Sequence, residues 1–205
     1  EAAQPHLSSI DETIIALAHN GTLVNFDALR KELAIRNISF RSDTDSEVAA
    51  QLIGYFTQKT HRLRSGIAAT MRLIEGGYAM VLVRENALYA FRDPHGIRPL
   101  VLGRLGSPED NSWVVASETC ALDIVGATFI REVEPGEIIK ISDDGLRSEQ
   151  GLAHRDPAAC IFEDVYFSRP DSVVDGRSIY WVRHMMGRQL ARETSVDADL
   201  VIGVP

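Results

Sequence analysis

Gly76-Gly77-Tyr78-Ala79-Met80-Val81-Leu82-Val83 is a continuous apolar run behind a glycine pair, and Ala87-Leu88-Tyr89-Ala90-Phe91-Arg92 follows after one short polar break. Runs of this length, rich in Tyr, Val and Leu and bounded by turn residues, read as strands; the first has the unbroken apolar character of a strand covered on both faces. The cluster Asp93-Pro94-His95-Gly96 closes the second run. Further strands are expected over residues 100–105, 113–117, 128–133 and 137–141, parted by Gly106-Ser107-Pro108 and Asp143-Asp144-Gly145. Residues 13–18 form another, ending at His19-Asn20-Gly21.

Helices are fewer. Residues 27–36 read as one, and Thr44 with Glu47 forms a capping-box pair that starts a second, running to about Thr57. Short strands separated by turns pair antiparallel with helices set around them, so residues 1–165 read as one α+β domain. Beyond Pro170 the pattern changes. Ile179, Val182, Met186 and Leu190 share a helix face, and residues 199–205 read as a buried strand. Helix followed by buried strand is the grammar of an α/β domain, which assigns residues 166–205 to a hinge and the start of a second unit.

The chain has 205 residues, 45% of them hydrophobic and 24% charged, which is ordinary globular usage and excludes a disordered or fibrous class. A net charge of −8 argues against a general nucleic-acid binder, since phosphate neutralisation needs clustered positive charge. No apolar run approaches the ~20 residues of a membrane-spanning helix. Two cysteines make no disulfide framework, which points to a reducing, cytoplasmic compartment. Glu1-Ala2-Ala3-Gln4-Pro5 has neither an initiator Met nor a signal-peptide core, and the strand at residues 199–205 stops without the helix it should feed. Both ends read as cut from something longer.

Two short motifs could hold chemistry. Asn20-Gly21 reads first as a two-residue hairpin turn. It reads second as an oxyanion hole, because an Asn side-chain amide and a Gly backbone N–H are two donors that one tight geometry can aim at one developing charge. Asp45, inside Ser42-Asp43-Thr44-Asp45-Ser46-Glu47, is either a first-turn carboxylate favoured by the helix dipole or a receptor for a ligand's ammonium group. His19, His95 and His184 read as packing or surface residues. Nothing in the pattern offers a Ser-His-Asp spacing, a Cys-x-x-Cys pair or a phosphate loop.

Resemblance adds to this. His19-Asn20-Gly21-Thr22-Leu23-Val24-Asn25 followed by Thr44-Asp45-Ser46-Glu47 resembles the glutaminase domain of class II glutamine amidotransferases, N-terminal-nucleophile hydrolases with an αββα sandwich. Residues 92–100 (Arg-Asp-Pro-His-Gly-Ile-Arg-Pro-Leu) share the family outline. Residues 116–121, 132–137 and above all 160–172 are similar to the amidophosphoribosyltransferase branch, and residues 200–205 to the first strand of its phosphoribosyltransferase domain.

The resemblance implies the first step of de novo purine synthesis, with ammonia from glutamine displacing pyrophosphate from phosphoribosyl pyrophosphate. It implies Asn20 and Gly21 as the oxyanion hole, Asp45 as the receptor for the glutamine α-amino group, and a nucleophilic N-terminal cysteine that neither Cys120 nor Cys160 replaces. It implies Mg²⁺ with the phosphoribosyl substrate, Cys160 as one ligand of a possible [4Fe–4S] cluster, feedback by purine nucleotides and a homotetramer. The piece would be inactive alone. Alternatives are a sugar-phosphate amidotransferase, which residues 166–172 count against, and a non-catalytic glutamine-binding domain.

Overall fold

The alternation of side chains along the central strands builds the architecture. In β3 (Gly76–Arg84) and β4 (Ala87–Arg92), Tyr78, Met80, Leu82, Tyr89 and Phe91 enter one hydrophobic cluster, while Ala79 and Ala90 enter another on the opposite face. Successive residues of a strand point to opposite faces, so each strand serves two layers. The computed structural model describes all residues except 1, 2, 11, 12, 108, 111, 195, 204 and 205.

The larger sheet has six strands in the order β1-β2-β3-β4-β8-β9, with β1 His6–Ile10, β2 Thr13–Leu23, β8 Glu137–Ser142 and β9 Gly145–Gln150. Every pairing is antiparallel. Its outer face carries α1 (Phe26–Ile35), α2 (Asp45–Thr60) and α3 (Leu63–Met71), whose Leu29, Leu33, Val48, Ile53 and Ile67 meet Ile15, Leu17, Met80 and Phe91. Its inner face packs on a second sheet of three strands, β6-β5-β7, with β5 Val101–Leu105, β6 Ser112–Ala116 and β7 Thr128–Glu132. Leu100, Leu102 and Val133 meet Ala79, Ala90 and Ile139 there. On the far side Val101 packs on Leu122 of α4 (Thr119–Val125). Helices, sheet, sheet, helix is the expected αββα order within an α+β fold. Burying each large side chain in these layers contributes roughly 1.5–3 kcal/mol.

Thr44 caps α2 as expected, accepting from the Glu47 N–H at 3.3 Å. Glu47 does not complete the reciprocal box. Its buried carboxylate reaches further back, to the N–H groups of Arg41 (2.8 Å) and Ser42 (2.7 Å). Among the elements of the sandwich, β1, β9, α3 and α4 were not expected from the sequence.

Two expectations need correcting. His19-Asn20-Gly21 is not a hairpin turn: β2 runs through it to Leu23, with Asn20 opposite Ala79, Gly21 opposite Tyr78 and Leu23 opposite Gly76. The physical reason is the glycine pair of β3. At φ +147° a Cβ on Gly21 would lie 2.1 Å from the Gly77 carbonyl oxygen, so the ladder continues only because residue 21 has no side chain. The strand expected over residues 199–205 is also absent from its described part. Residues 199–203 have no regular structure, and Leu200, Val201 and Ile202 are exposed. A strand needs a neighbour to complete its hydrogen bonds, and among the described residues none lies beside them. Val204 and Pro205 lie outside the described residues, as do Glu1, Ala2 and Pro108 of the expectations above.

The segment after the sandwich is docked rather than loose. A π-helical turn (Glu163–Phe167) and the short hairpin β10 (Val173–Val174) and β11 (Arg177–Ser178) lead into α5 (Ile179–Glu193). Glu163, Asp164, Ser168 and Ser172 are buried. Of the four residues that share the apolar face of α5, Ile179 is buried, while Met186 and Leu190 are exposed.

Candidate active site

Asp93 organises the site. It is fully buried, and its two carboxylate oxygens accept from four backbone N–H groups: Oδ1 from His95 (3.0 Å) and Ile97 (3.1 Å), Oδ2 from Tyr78 (3.3 Å) and Arg98 (3.2 Å). Arg92, also buried, donates Nε to the Arg98 carbonyl at 2.7 Å and Nη2 to that of Gly96 at 2.9 Å. Together they fold residues 93–98 into a fixed loop at the end of β4. The loop delivers the Arg98 side chain to β2.

There Arg98 Nη2 donates to Asn20 Oδ1 at 2.7 Å, and Asn20 Nδ2 donates to Ser117 Oγ at 3.1 Å. An arginine has no acceptor, so the amide atom facing it is the oxygen, and the NH₂ group is fixed on the other side. That NH₂ carries two hydrogens. Ser117 takes one, and the second is available to the adjoining cavity. The cavity, about 870 Å³, is lined by Asn20, Gly21, Gly77, Arg98, Cys160 and Tyr166 among others.

Asp45, the first residue of α2, lies behind the same strand. Its Oδ2 accepts from the Leu23 N–H at 2.8 Å, and its Oδ1 accepts from Ser46 Oγ at 3.3 Å. These contacts leave acceptor capacity on both oxygens. His19 Nδ1 lies 3.0 Å from Ser46 Oγ and 3.9 Å from Asp45 Oδ1. Burial lowers the His19 pKa below its usual value of 6.5; the Asp45 carboxylate opposes this, while Arg98 and His6 add to it. The neutral imidazole is therefore favoured behind the site.

The residues singled out in the sequence are thus brought together in part. Asn20, Gly21 and Cys160 share one cavity wall, and Asp45 is tied to β2 at Leu23 beside them. His95, expected as a packing or surface residue, donates its backbone N–H to Asp93 and places Nδ1 2.9 Å from the Asp156 carbonyl. Arg98, Ser117 and Glu163 were given no role in the sequence. Each lies in a quoted motif, but what each touches depends on contacts far apart in the chain.

The metal question rests on cysteine. Cys160 is half-buried, and Cys120 is buried on α4 with Sγ 3.9 Å from Glu118 Oε2. Among the described residues no group of three or more His, Cys, Asp or Glu is placed to hold a metal ion. A cubane cluster takes four thiolates, so the residues present do not by themselves fit one. Among the described residues no helix is long and apolar enough to cross a membrane.

Over 99% of its length the chain is 43% identical to an amidophosphoribosyltransferase of Synechococcus elongatus and 47% identical to one of Synechocystis sp., covering 41% of each. It is likewise similar to the solved glutamine phosphoribosylpyrophosphate amidotransferase of B. subtilis complexed with ADP and GMP, with a TM-score of 0.87 and 40% identity over 96% of this chain and 42% of that one. The chain therefore spans about two-fifths of the length of these relatives. With the glutamine amidotransferase domain model matching residues 1–123, more than half of the sequence, the chain belongs to the glutamine amidotransferase domain family.

Proposed function

We propose that this chain is the glutaminase part of an amidophosphoribosyltransferase. In that reading a nucleophilic cysteine outside these residues attacks the side-chain carbonyl of glutamine, and the C–N bond breaks to release ammonia and leave a thioester that water hydrolyses to glutamate. The ammonia then displaces pyrophosphate from phosphoribosyl pyrophosphate, giving 5-phosphoribosylamine for purine synthesis.

The observation that carries this reading is the Asn20 amide. Its oxygen is held by Arg98 at 2.7 Å and one amide hydrogen by Ser117 at 3.1 Å, so the second hydrogen of the NH₂ is the one left to meet a developing oxyanion in the cavity. Gly21 supplies the second donor by the same logic. The His19 N–H is met by Gln4 Oε1 at the open edge of β2, and strand alternation turns the Gly21 N–H to that same edge. Asp45 offers the negative charge for the substrate α-ammonium.

Several elements of the reading lie further out. Residues 1–165 form the glutaminase domain, and residues 166–205 lead into a phosphoribosyltransferase domain that would bind its substrate with Mg²⁺. Cys160 is one thiolate of a [4Fe–4S] cluster whose other three come from outside these residues. Purine nucleotides act as feedback inhibitors, the assembly is a homotetramer and the compartment is the cytoplasm.

The test is Asn20→Ala in the complete enzyme. Glutamine-dependent kcat falls roughly 10²-fold or more, the cost of losing one oxyanion donor. Turnover with free ammonia persists, because it bypasses this site. Asp45→Asn instead raises the glutamine KM. Equal loss of both activities in Asn20→Ala makes Asn20 structural and removes the reading.

A further inference from the structure

Both ends of the Asn20 amide lead to one segment of chain. At the oxygen end, Arg98 Nη1 meets Glu163 Oε1 at 2.5 Å, with both side chains largely buried, and the guanidinium lies 5.4 Å over the Phe167 ring. Glu163 Oε2 in turn accepts from Ser168 Oγ at 2.9 Å. At the nitrogen end, Ser117 is followed in the chain by Glu118, whose Oε2 accepts from the Arg169 N–H at 2.8 Å and from Ser172 Oγ at 2.7 Å. Thr119 Oγ1 accepts the Val173 N–H at 2.8 Å. The contacts close a ring: Asn20, Arg98, Glu163, Ser168–Arg169, Glu118–Ser117 and back to Asn20. Arg183 of α5 fastens the segment from outside, donating Nε to the Asp164 carbonyl and Nη2 to the Ser168 carbonyl.

A surface ion pair would contribute little to such an arrangement. This pair is buried and bonded at both ends, and its arginine is shared with the side chain that faces the cavity. We propose that Arg98 and Glu163 are positioning residues for the Asn20 amide, so that residues 163–172, through Glu163 and Arg98, set the orientation of the oxyanion donor. The inference rests on the oxyanion reading of Asn20. With Glu163 neutral, Arg98 loses the charge that fixes its fork, and the Asn20 amide gains rotational freedom. The donor then spends part of its time turned from the cavity, while glutamine binding through Asp45 is unaffected. The signature is a fall in kcat at constant KM.

The experiment measures glutamine hydrolysis by the complete enzyme for Glu163→Gln, Asn20→Ala and the double variant. Glu163→Gln lowers kcat about tenfold and leaves KM within about twofold, a fraction of the ~10²-fold loss expected from removing the donor. In the Asn20→Ala background the same change has less than about a twofold further effect, because a residue acting through Asn20 has nothing left to position. Arg98→Met/Glu163→Met, which leaves no unpaired buried charge, repeats the test should Glu163→Gln fold poorly. An unchanged kcat in these variants, or losses that add fully to that of Asn20→Ala, overturns the proposal. Full kcat in Asn20→Ala alone instead overturns the oxyanion reading beneath it.

Discussion

Replacing Asp93 by asparagine tests how the site is built. The side chain keeps its size, but one acceptor oxygen becomes an NH₂ donor. In the folded protein each oxygen accepts two backbone N–H groups, at 3.0 and 3.1 Å on Oδ1 and at 3.3 and 3.2 Å on Oδ2. Whichever way the amide turns, two N–H groups face a donor and lose their partner around a fully buried side chain. Hydrogen bonds to a carboxylate contribute about 1.5–3 kcal/mol each, so the loss is about 3–6 kcal/mol, concentrated on one loop.

The two orientations differ in consequence. An amide toward Tyr78 and Arg98 frees the residue that holds Asn20, whereas one toward His95 and Ile97 frees the turn before it. Native-state hydrogen exchange reads both, because it reports local opening at each amide. The weaker of the two pairs should lose protection by ~10²-fold or more, the factor that corresponds to about 3 kcal/mol. Asp123→Asn, at an exposed position on α4, is the control. If Asp93→Asn leaves the four amides protected and the melting temperature within a degree or two of wild type, then the carboxylate does not organise the loop.

Two further outcomes follow from buried charges. His19 titrates below 6.5 in the folded protein, mainly through burial, so the folded state binds its proton less readily than the unfolded chain. Stability is then lost as pH falls from about 6.5 through the depressed folded value, and His19→Asn should flatten the melting temperature against pH in that window; an unchanged slope refutes it. Burial pushes the Glu137 carboxyl up, but hydrogen bonds from Arg131 (2.6 and 2.8 Å), from Ser148 and from the Glu134 N–H outweigh it and hold the pKa below 4.5. Glu137→Ala should cost about 3 kcal/mol or more in denaturant unfolding, because Arg131 of β7 then faces β8 unpaired, and a loss under about 1 kcal/mol would make the link between the two sheets incidental.

Much of the fold was legible because it is written in local period. The boundaries of β4 to β8 follow from apolar runs and the turn clusters between them, and α2 from Thr44. What failed failed for tertiary reasons. Asn-Gly is a turn signal only while nothing opposes it, and β3 opposes it by pairing so closely with β2 that neither Gly21 nor Gly76 has room for a side chain. Residues 199–203 have strand composition but, among the described residues, no neighbouring strand. The site was legible as single residues, through motif resemblance, and not as a network. Asn20 and Arg98 are 78 positions apart, and Asn20 and Ser117 are 97 apart, beyond the reach of any periodicity.

That Asn20 and Gly21 sit in a strand rather than a turn changes what could regulate them. A turn moves as a backbone unit, and its donors would be displaced together. Here the backbone on either side is pinned, by β3 on one edge and on the other by the Gln4 side chain, which accepts from His19 N–H at 2.5 Å and donates to His19 O at 2.8 Å. The Gly21 N–H therefore has little freedom, as expected of a donor built on a regular element. The Asn20 side chain retains its own two torsions, and these are what Arg98 and Ser117 hold. Any signal arriving through residues 163–172 must then act on one donor and spare the other. A partial loss of rate, graded by how far one amide is turned, is the response this geometry produces. An all-or-none collapse would require β2 itself to move.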